Sequence, residues 1–187
     1  MRSLQARHPK FVEAVLGDAR TCAMYRGERS QFNSRADAFT QVLRLCWVSD
    51  AFLAQTLYRL KASLQAKRVP IMPRIAHRCA MALAQISIGD GVIIEPGVYL
   101  IHGQVVIDGL VTIGSGATIA PWVTIGLRAG NIEGATLERG VHVGTGAKLI
   151  GPVRVGAGAR IGANAVVTSD VAAGTTVVGA PARPIGS

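Results

Sequence analysis

Aromatic side chains are scarce: nine among 187 residues, or 5%. Cysteine is scarcer still. Cys22, Cys46 and Cys79 are odd in number and widely spaced. This argues against a disulfide framework and fits a reducing, cytoplasmic setting. No apolar run is long enough for a membrane span. The longest stretch without a charge, Gly109 to Leu127, approaches the ~20 residues a span needs. Gly114, Gly116 and Pro121 break it, and Thr112, Ser115, Thr118 and Thr124 make it polar. The first ten residues lack the apolar segment of a secretory signal. Charged residues make up only 17% and hydrophobic ones 49%, which excludes a disordered tail and allows a buried core.

What charge there is lies unevenly. Residues 1–87 carry 14 Lys/Arg against 5 Asp/Glu, and residues 88–187 carry 6 of each, so the front holds the whole net charge of +9. Of 22 glycines, 20 lie from Gly89 onward, whereas Tyr99 and Trp122 are the only aromatics there. These shifts divide the chain into residues 1–87 and a glycine-rich remainder. The basic residues are dispersed and accompany no nucleic-acid motif, so they read as solvated helix faces rather than a nucleic-acid footprint.

The front half has helical spacing. Pro9 suits a first turn, and Val12, Val15, Leu16, Ala19 and Ala23 form a candidate inward face over residues 10–26, with Gly27 as a stop. Ser34, with Asp37 three residues on, resembles a capping box. It opens a segment carrying Phe39, Val42, Leu43, Cys46 and Trp47, and Ser49-Asp50 opens another. Leu53, Leu57, Leu60 and Leu64 then lie on one face. A short helix is expected over residues 74–84, after Pro70 and Pro73. The leucine and aromatic stripes predict packing between helices, with an oligomer contact as the second reading.

The back half repeats every six residues. From Ile101 the series runs Ile107, Ile113, Ile119, Ile125, Asn131, Leu137, Val143, Leu149, Val155, Ile161 and Val167, with one exception to Ile, Val or Leu. Four residues after each member comes Val or Ala without exception, from Val105 to Val171. A fixed hexapeptide period predicts a parallel β-helix, with three short strands per triangular coil and residues 18 apart stacked. The predicted solenoid covers residues 88–171, and 172–187 form a C-terminal extension. Ile88 and Ile94 keep the spacing in another phase, which places one extra residue between Ile94 and Ile101. Residues 126–136 break the pattern at Asn131 but keep its phase, which predicts a loop leaving the prism there.

Several segments resemble the hexapeptide-repeat acyltransferases, and most closely the serine O-acetyltransferases. They are Pro121-Trp122-Val123-Thr124-Ile125-Gly126, Val143-Gly144-Thr145-Gly146-Ala147-Lys148, residues 161–167 and the Gly-x-Pro-Ala-Arg ending at Arg183. Tyr58-Arg59 extends the match into the helical part. The resemblance implies a left-handed coil, a homotrimer or dimer of trimers, acetyl-CoA as co-substrate and no metal. It implies that His102 removes a proton from the acceptor hydroxyl, which then attacks the thioester. Imidazole titrates close enough to neutrality for this work. The resemblance also points to Gly126, Leu127, Thr145 and Ala163 as coenzyme A contacts through the backbone. Arg160 and Arg183 would face its phosphate end, and Asp18 and Ile101 fall at acceptor-binding positions. His142 lies in another phase and reads as structural or solvated.

The departures from that family concern the acceptor. The carboxylate expected fifteen residues before the catalytic histidine is Ser87, the expected Asp before it is Ile101, and an Arg-His pair is replaced by Glu133-Gly134. Glu95 and Asp108 are the candidate substitutes. L-serine is the leading acceptor, with a sugar or natural-product hydroxyl as the alternative and a non-catalytic scaffold as the rival. A γ-type carbonic anhydrase would need three zinc-binding histidines, and only His102 and His142 lie in the repeat. The chain carries no long tail ending in Ile, so the resemblance implies no complex with cysteine synthase.

Overall fold

The computed structural model describes residues 7–186. Four helices precede a solenoid: α1 (Phe11–Tyr25), α2 (Arg35–Val48), α3 (Asp50–Ala66) and α4 (Met72–Ala84). Ser34 caps α2 by accepting from the Asp37 N–H at 3.1 Å, and Ser49 caps α3 by accepting from the Phe52 N–H at 3.3 Å. α1 ends at Arg26, with Gly27 left-handed just beyond.

The solenoid is the expected left-handed parallel β-helix, built as three ladders. Face A stacks β1 (Ile86–Ile88), β4 (Val105–Ile107), β7 (Thr124–Gly126), β10 (Lys148–Ile150) and β13 (Val166–Val167). Face B stacks β2 (Ile93–Ile94), β5 (Leu110–Ile113), β8 (Glu133–Leu137) and β11 (Arg154–Val155). Face C stacks β3 (Tyr99–Leu100), β6 (Thr118–Ile119), β9 (His142–Val143), β12 (Arg160–Ile161) and β14 (Thr176–Val178). The last strand, β15 (Arg183–Pro184), runs antiparallel to β14. The interior is a column of Ile, Leu and Val filled out by the small Val/Ala positions, all of them buried except Ala129 on the loop. Each such aliphatic side chain contributes about 1.5–3 kcal/mol on burial.

The structure relocates several expected features. Leu100, not Ile101, fills the interior in phase with Ile88 and Ile94. Strand partners are 19 apart at Tyr99↔Thr118 and 18 apart at Val106↔Thr124. The extra residue therefore lies within the turn 101–104, which holds His102. The excursion is shorter than the pattern break suggests. Strand β8 resumes at Glu133, because buried Gly134 and Ala135 return the chain to face B. At the far end β14 still pairs with β12, so coiling continues past Val171.

The helices also differ from the apolar reading. On α3 the leucines at 53, 57, 60 and 64 are only half-buried. The buried face instead carries Gln55, Tyr58, Arg59 and Lys61. The reason lies in the sheet ends. The first coil has no coil above it, so its upward carbonyls need donors. Gln55 Nε2 donates to Val98 O at 3.0 Å, Tyr58 Oη to Val92 O at 2.7 Å and Lys61 Nζ to Ile88 O at 2.6 Å. Arg59 donates to Ile94 O and, at 2.9 Å, to Glu95 O. Helix α3 is thus a polar lid on the solenoid. On α1, Val12 faces solvent, and on α2 so do Phe39, Leu43 and Trp47. The intervening Leu45 is buried against Phe52 and α1 instead.

Candidate functional site

The three corners of the prism sort the candidate residues. His102 lies in the turn from face C to face A, Glu95 at the turn from B to C, and Asp108 at the turn from A to B. One protomer does not bring these three together. Glu95 is occupied in accepting the Ser115 N–H at 3.0 Å, and Asp108 accepts the Gly109 N–H at 2.9 Å. Ser87 and Asp108 instead line a groove of about 1150 Å³ between α4 and face A. His77, Asp90 and Lys61 also line it, and Lys61 pairs with Asp90 at 2.9 Å.

Asp18 does not reach an acceptor. It is buried, and both its oxygens are used: Arg59 donates to Oδ2 at 2.9 Å and to Oδ1 at 3.2 Å, and the Gly97 N–H donates to Oδ1 at 2.9 Å. Burial pushes its carboxyl up, while Arg59 and the Gly97 N–H pull it back. Its role is to neutralise the arginine that caps the first coil. Ile101 is half-buried beside His102.

The coenzyme A candidates fall on different edges. Thr145 and Ala163 are exposed in neighbouring C-to-A turns, whose stacking is fixed by the Asn164 N–H donating to Thr145 O at 2.8 Å. Gly126 ends β7 at the opposite edge of face A, where Leu127 packs over Gly109. Arg160 lies exposed on face C, in a hollow of about 380 Å³ with Tyr25, Thr118 and His142. Arg183 is exposed on β15. His142 exchanges a hydrogen bond with the Thr118 hydroxyl, which accounts for it as a surface ladder residue.

His102 opens into a cavity of about 360 Å³ that sequence reasoning did not foresee. Its other walls are Asp50, Leu83, Gln85, Gln104, Pro121 and Trp122. Asp50 arrives from the N-terminus of α3, far away in sequence, and supplies a carboxylate to the cavity that holds the imidazole. Among the described residues the His102 ring makes no hydrogen bond, so it is free to meet a ligand.

The backbone marks the same corner. At the B-to-C turns the left-handed position is held by Gly97, Gly116, Gly140, Gly158 and Gly174, with φ between 67° and 80°. At the C-to-A turns the equivalent positions are Gln104, Trp122, Gly146 and Asn164, with φ of 58°, 59°, 71° and 57°, and Gln85, the left-handed C-cap of α4 with φ of 55°, stacks on the same column. A left-handed residue with a Cβ costs roughly 1–2 kcal/mol, and Asn is the best tolerated exception. The three residues flanking His102 in this column are two glutamines and a tryptophan. A glycine-for-side-chain comparison between the two corners is the sequence signal that would have found them.

The family model described as bacterial transferase hexapeptide (six repeats) matches residues 134–169. The serine acetyltransferase of Helicobacter pylori strain J99 is 41% identical over 132 residues, spanning 68% of this chain and 77% of that protein. The serine acetyltransferase of Mycobacterium tuberculosis is 32% identical over 165 residues, spanning 86% of this chain and 72% of that one. Among solved structures, soybean serine acetyltransferase complexed with serine superposes with a TM-score of 0.77 at 25% identity, covering 96% of this chain and 71% of its own.

Proposed function

Because the chain belongs to the serine acetyltransferase family, we propose that it transfers the acetyl group of acetyl-CoA to the hydroxyl of L-serine, with His102 as general base. The observation that carries this reading is the cavity around His102, where an unengaged imidazole and the Asp50 carboxylate share one opening. The His102 ring takes the hydroxyl proton as the serine oxygen bonds to the thioester carbonyl carbon. The carbon–sulfur bond then breaks, and the departing thiolate recovers that proton as free CoA. Such a base contributes about 10²–10⁴-fold.

Ser87 cannot stabilise an imidazolium as an anion does, and it lines another cavity. Asp50 takes that part. Asp50→Asn removes one negative charge from the cavity and is expected to lower kcat about tenfold, the equivalent of ~1.4 kcal/mol of transition-state support. Its pH–rate profile should move, whereas a purely structural role would change the melting temperature instead.

The coenzyme A contacts at Thr145, Ala163, Gly126, Leu127, Arg160 and Arg183 belong to this proposal. So do the homotrimer, the cytoplasmic setting and the lack of a cysteine synthase complex. The scatter of these groups over separate edges of one prism supports an assembly in which a seam between protomers closes the site. The three cysteines are free thiols, which suits a reducing compartment. No helix among the described residues is long and apolar enough to cross a membrane. The test is thiol release from acetyl-CoA by the purified protein. CoA release that depends on L-serine supports the reading, and its absence at all serine concentrations refutes serine as the acceptor.

A further inference from the structure

We infer that the corner column Gln85–Gln104–Trp122 is an acceptor subsite for a carbohydrate, so that acetyl transfer at this cavity extends to a sugar hydroxyl. The inference rests on His102 being the base, and concerns what lies against it.

Two observations carry it. The first is the unrelieved backbone cost. Trp122 holds a left-handed backbone while the residue is 59% exposed in the protomer, so packing within one chain recovers little of that cost. Gln104 is likewise left-handed and exposed, and exposed Gln85, the C-cap of α4, stacks beside it. The sister corner uses glycine at all five equivalent positions, so the coil itself asks for no side chain there. Strain of this kind is retained where the side chain serves a ligand.

The second is the chemistry of the side chains gathered there. Trp122 offers a broad apolar ring face and an N–H donor. Each carboxamide offers donors and an acceptor, and Asp50 offers acceptors. The described residues lining the cavity include no Lys or Arg, and Lys148, at the same corner, is engaged by Trp122 O at 2.7 Å and Gly146 O at 3.0 Å. A neutral pyranose needs no such cation. Its C–H face stacks on an indole, and its hydroxyls exchange hydrogen bonds with amides and a carboxylate. About 360 Å³ also falls within the size range of small-ligand pockets. The balanced step is the one already described, with a sugar oxygen in place of the serine oxygen: the new ester takes the acetyl group, and the hydroxyl proton ends on the CoA thiol.

The experiment compares L-serine with methyl glycosides of glucose and galactose in the thiol-release assay, and confirms acetylated glycoside by mass spectrometry. Wild-type protein is expected to acetylate at least one glycoside. Trp122→Ala should lower the ratio of glycoside to serine kcat/KM about tenfold, the scale of one aromatic stacking contact. Trp122→Gly removes the same ring while relaxing the backbone. It should show the same loss with a melting temperature equal to or above wild type, which keeps the result independent of misfolding. Turnover of serine without any glycoside overturns this inference and leaves the proposed function standing. Equal loss towards both acceptors, or loss of the native oligomer on replacing Trp122, also overturns it. Release of CoA with neither acceptor refutes the proposed function itself.

Discussion

Replacing His102 by alanine is expected to lower kcat for acetyl transfer by about 10²–10⁴-fold, with little change in melting temperature. The separation follows from where the residue stands. His102 is exposed in a turn. Among the described residues its ring makes no hydrogen bond, so the fold loses nothing when it is cut back. In the proposed mechanism the chemistry loses its proton acceptor, and an alcohol is a poor nucleophile near neutrality without one. Initial rates of CoA release, with a thermal melt of the same sample, measure both halves. A variant that retains a tenth or more of wild-type kcat would remove His102 from the mechanism.

The largest stability effect is expected at Arg59, far from the chemistry. Arg59 and Asp18 are 3% and 2% exposed, and the guanidinium also serves Ile94 O and Glu95 O at the open end of the solenoid. Arg59→Ala strands a buried carboxylate and two carbonyls. Breaking a buried pair in this way costs about 3–5 kcal/mol. That is a large share of the 5–15 kcal/mol that usually separates folded from unfolded chains. For a chain of this length it corresponds to a fall in melting temperature of about 6–20 °C. Adding Asp18→Asn should recover part of the loss, because the stranded charge is then gone. A single Arg59→Ala variant that melts within about 2 °C of wild type would show that α3 is not the lid described.

The contrast between these two residues also explains what the sequence could reveal. The solenoid was legible because its period is enforced residue by residue: Ile107, Ile113, Ile119 and Ile125 must fill one column, so the spacing is the structure. His102 became a candidate through resemblance to a family motif. The helical half was less legible. There the apolar pattern pointed to Leu53, Leu57, Leu60 and Leu64, whereas burial is decided by the carbonyl row of the first coil. That demand selected Gln55, Tyr58, Arg59 and Lys61, and no periodicity within α3 announces it. The phase slip was visible but misplaced, since Leu100 and Ile101 are both aliphatic and only the ladder register distinguishes them.

The site itself was read least completely, for a topological reason. Glu95 and Asp108 are close to His102 in sequence, yet each lies at another corner of the prism, because six residues carry the chain around one-third of a coil. Asp50 is 52 positions away in the numbering and shares the cavity of His102 because α3 lies across the end of the solenoid. Asp18 matched an acceptor-binding position but is consumed by Arg59. Proximity in a solenoid runs along the corners, so the informative neighbours of His102 are Gln85, Gln104 and Trp122.

The most direct test of the account is a structure of the protein with CoA bound. The account predicts the thiol end of the pantetheine arm in the corner cavity, within hydrogen-bond reach of the His102 ring and beside Asp50. A CoA molecule whose sulfur lies at either of the other two corners, out of reach of His102 from its own protomer or a neighbour, would contradict it.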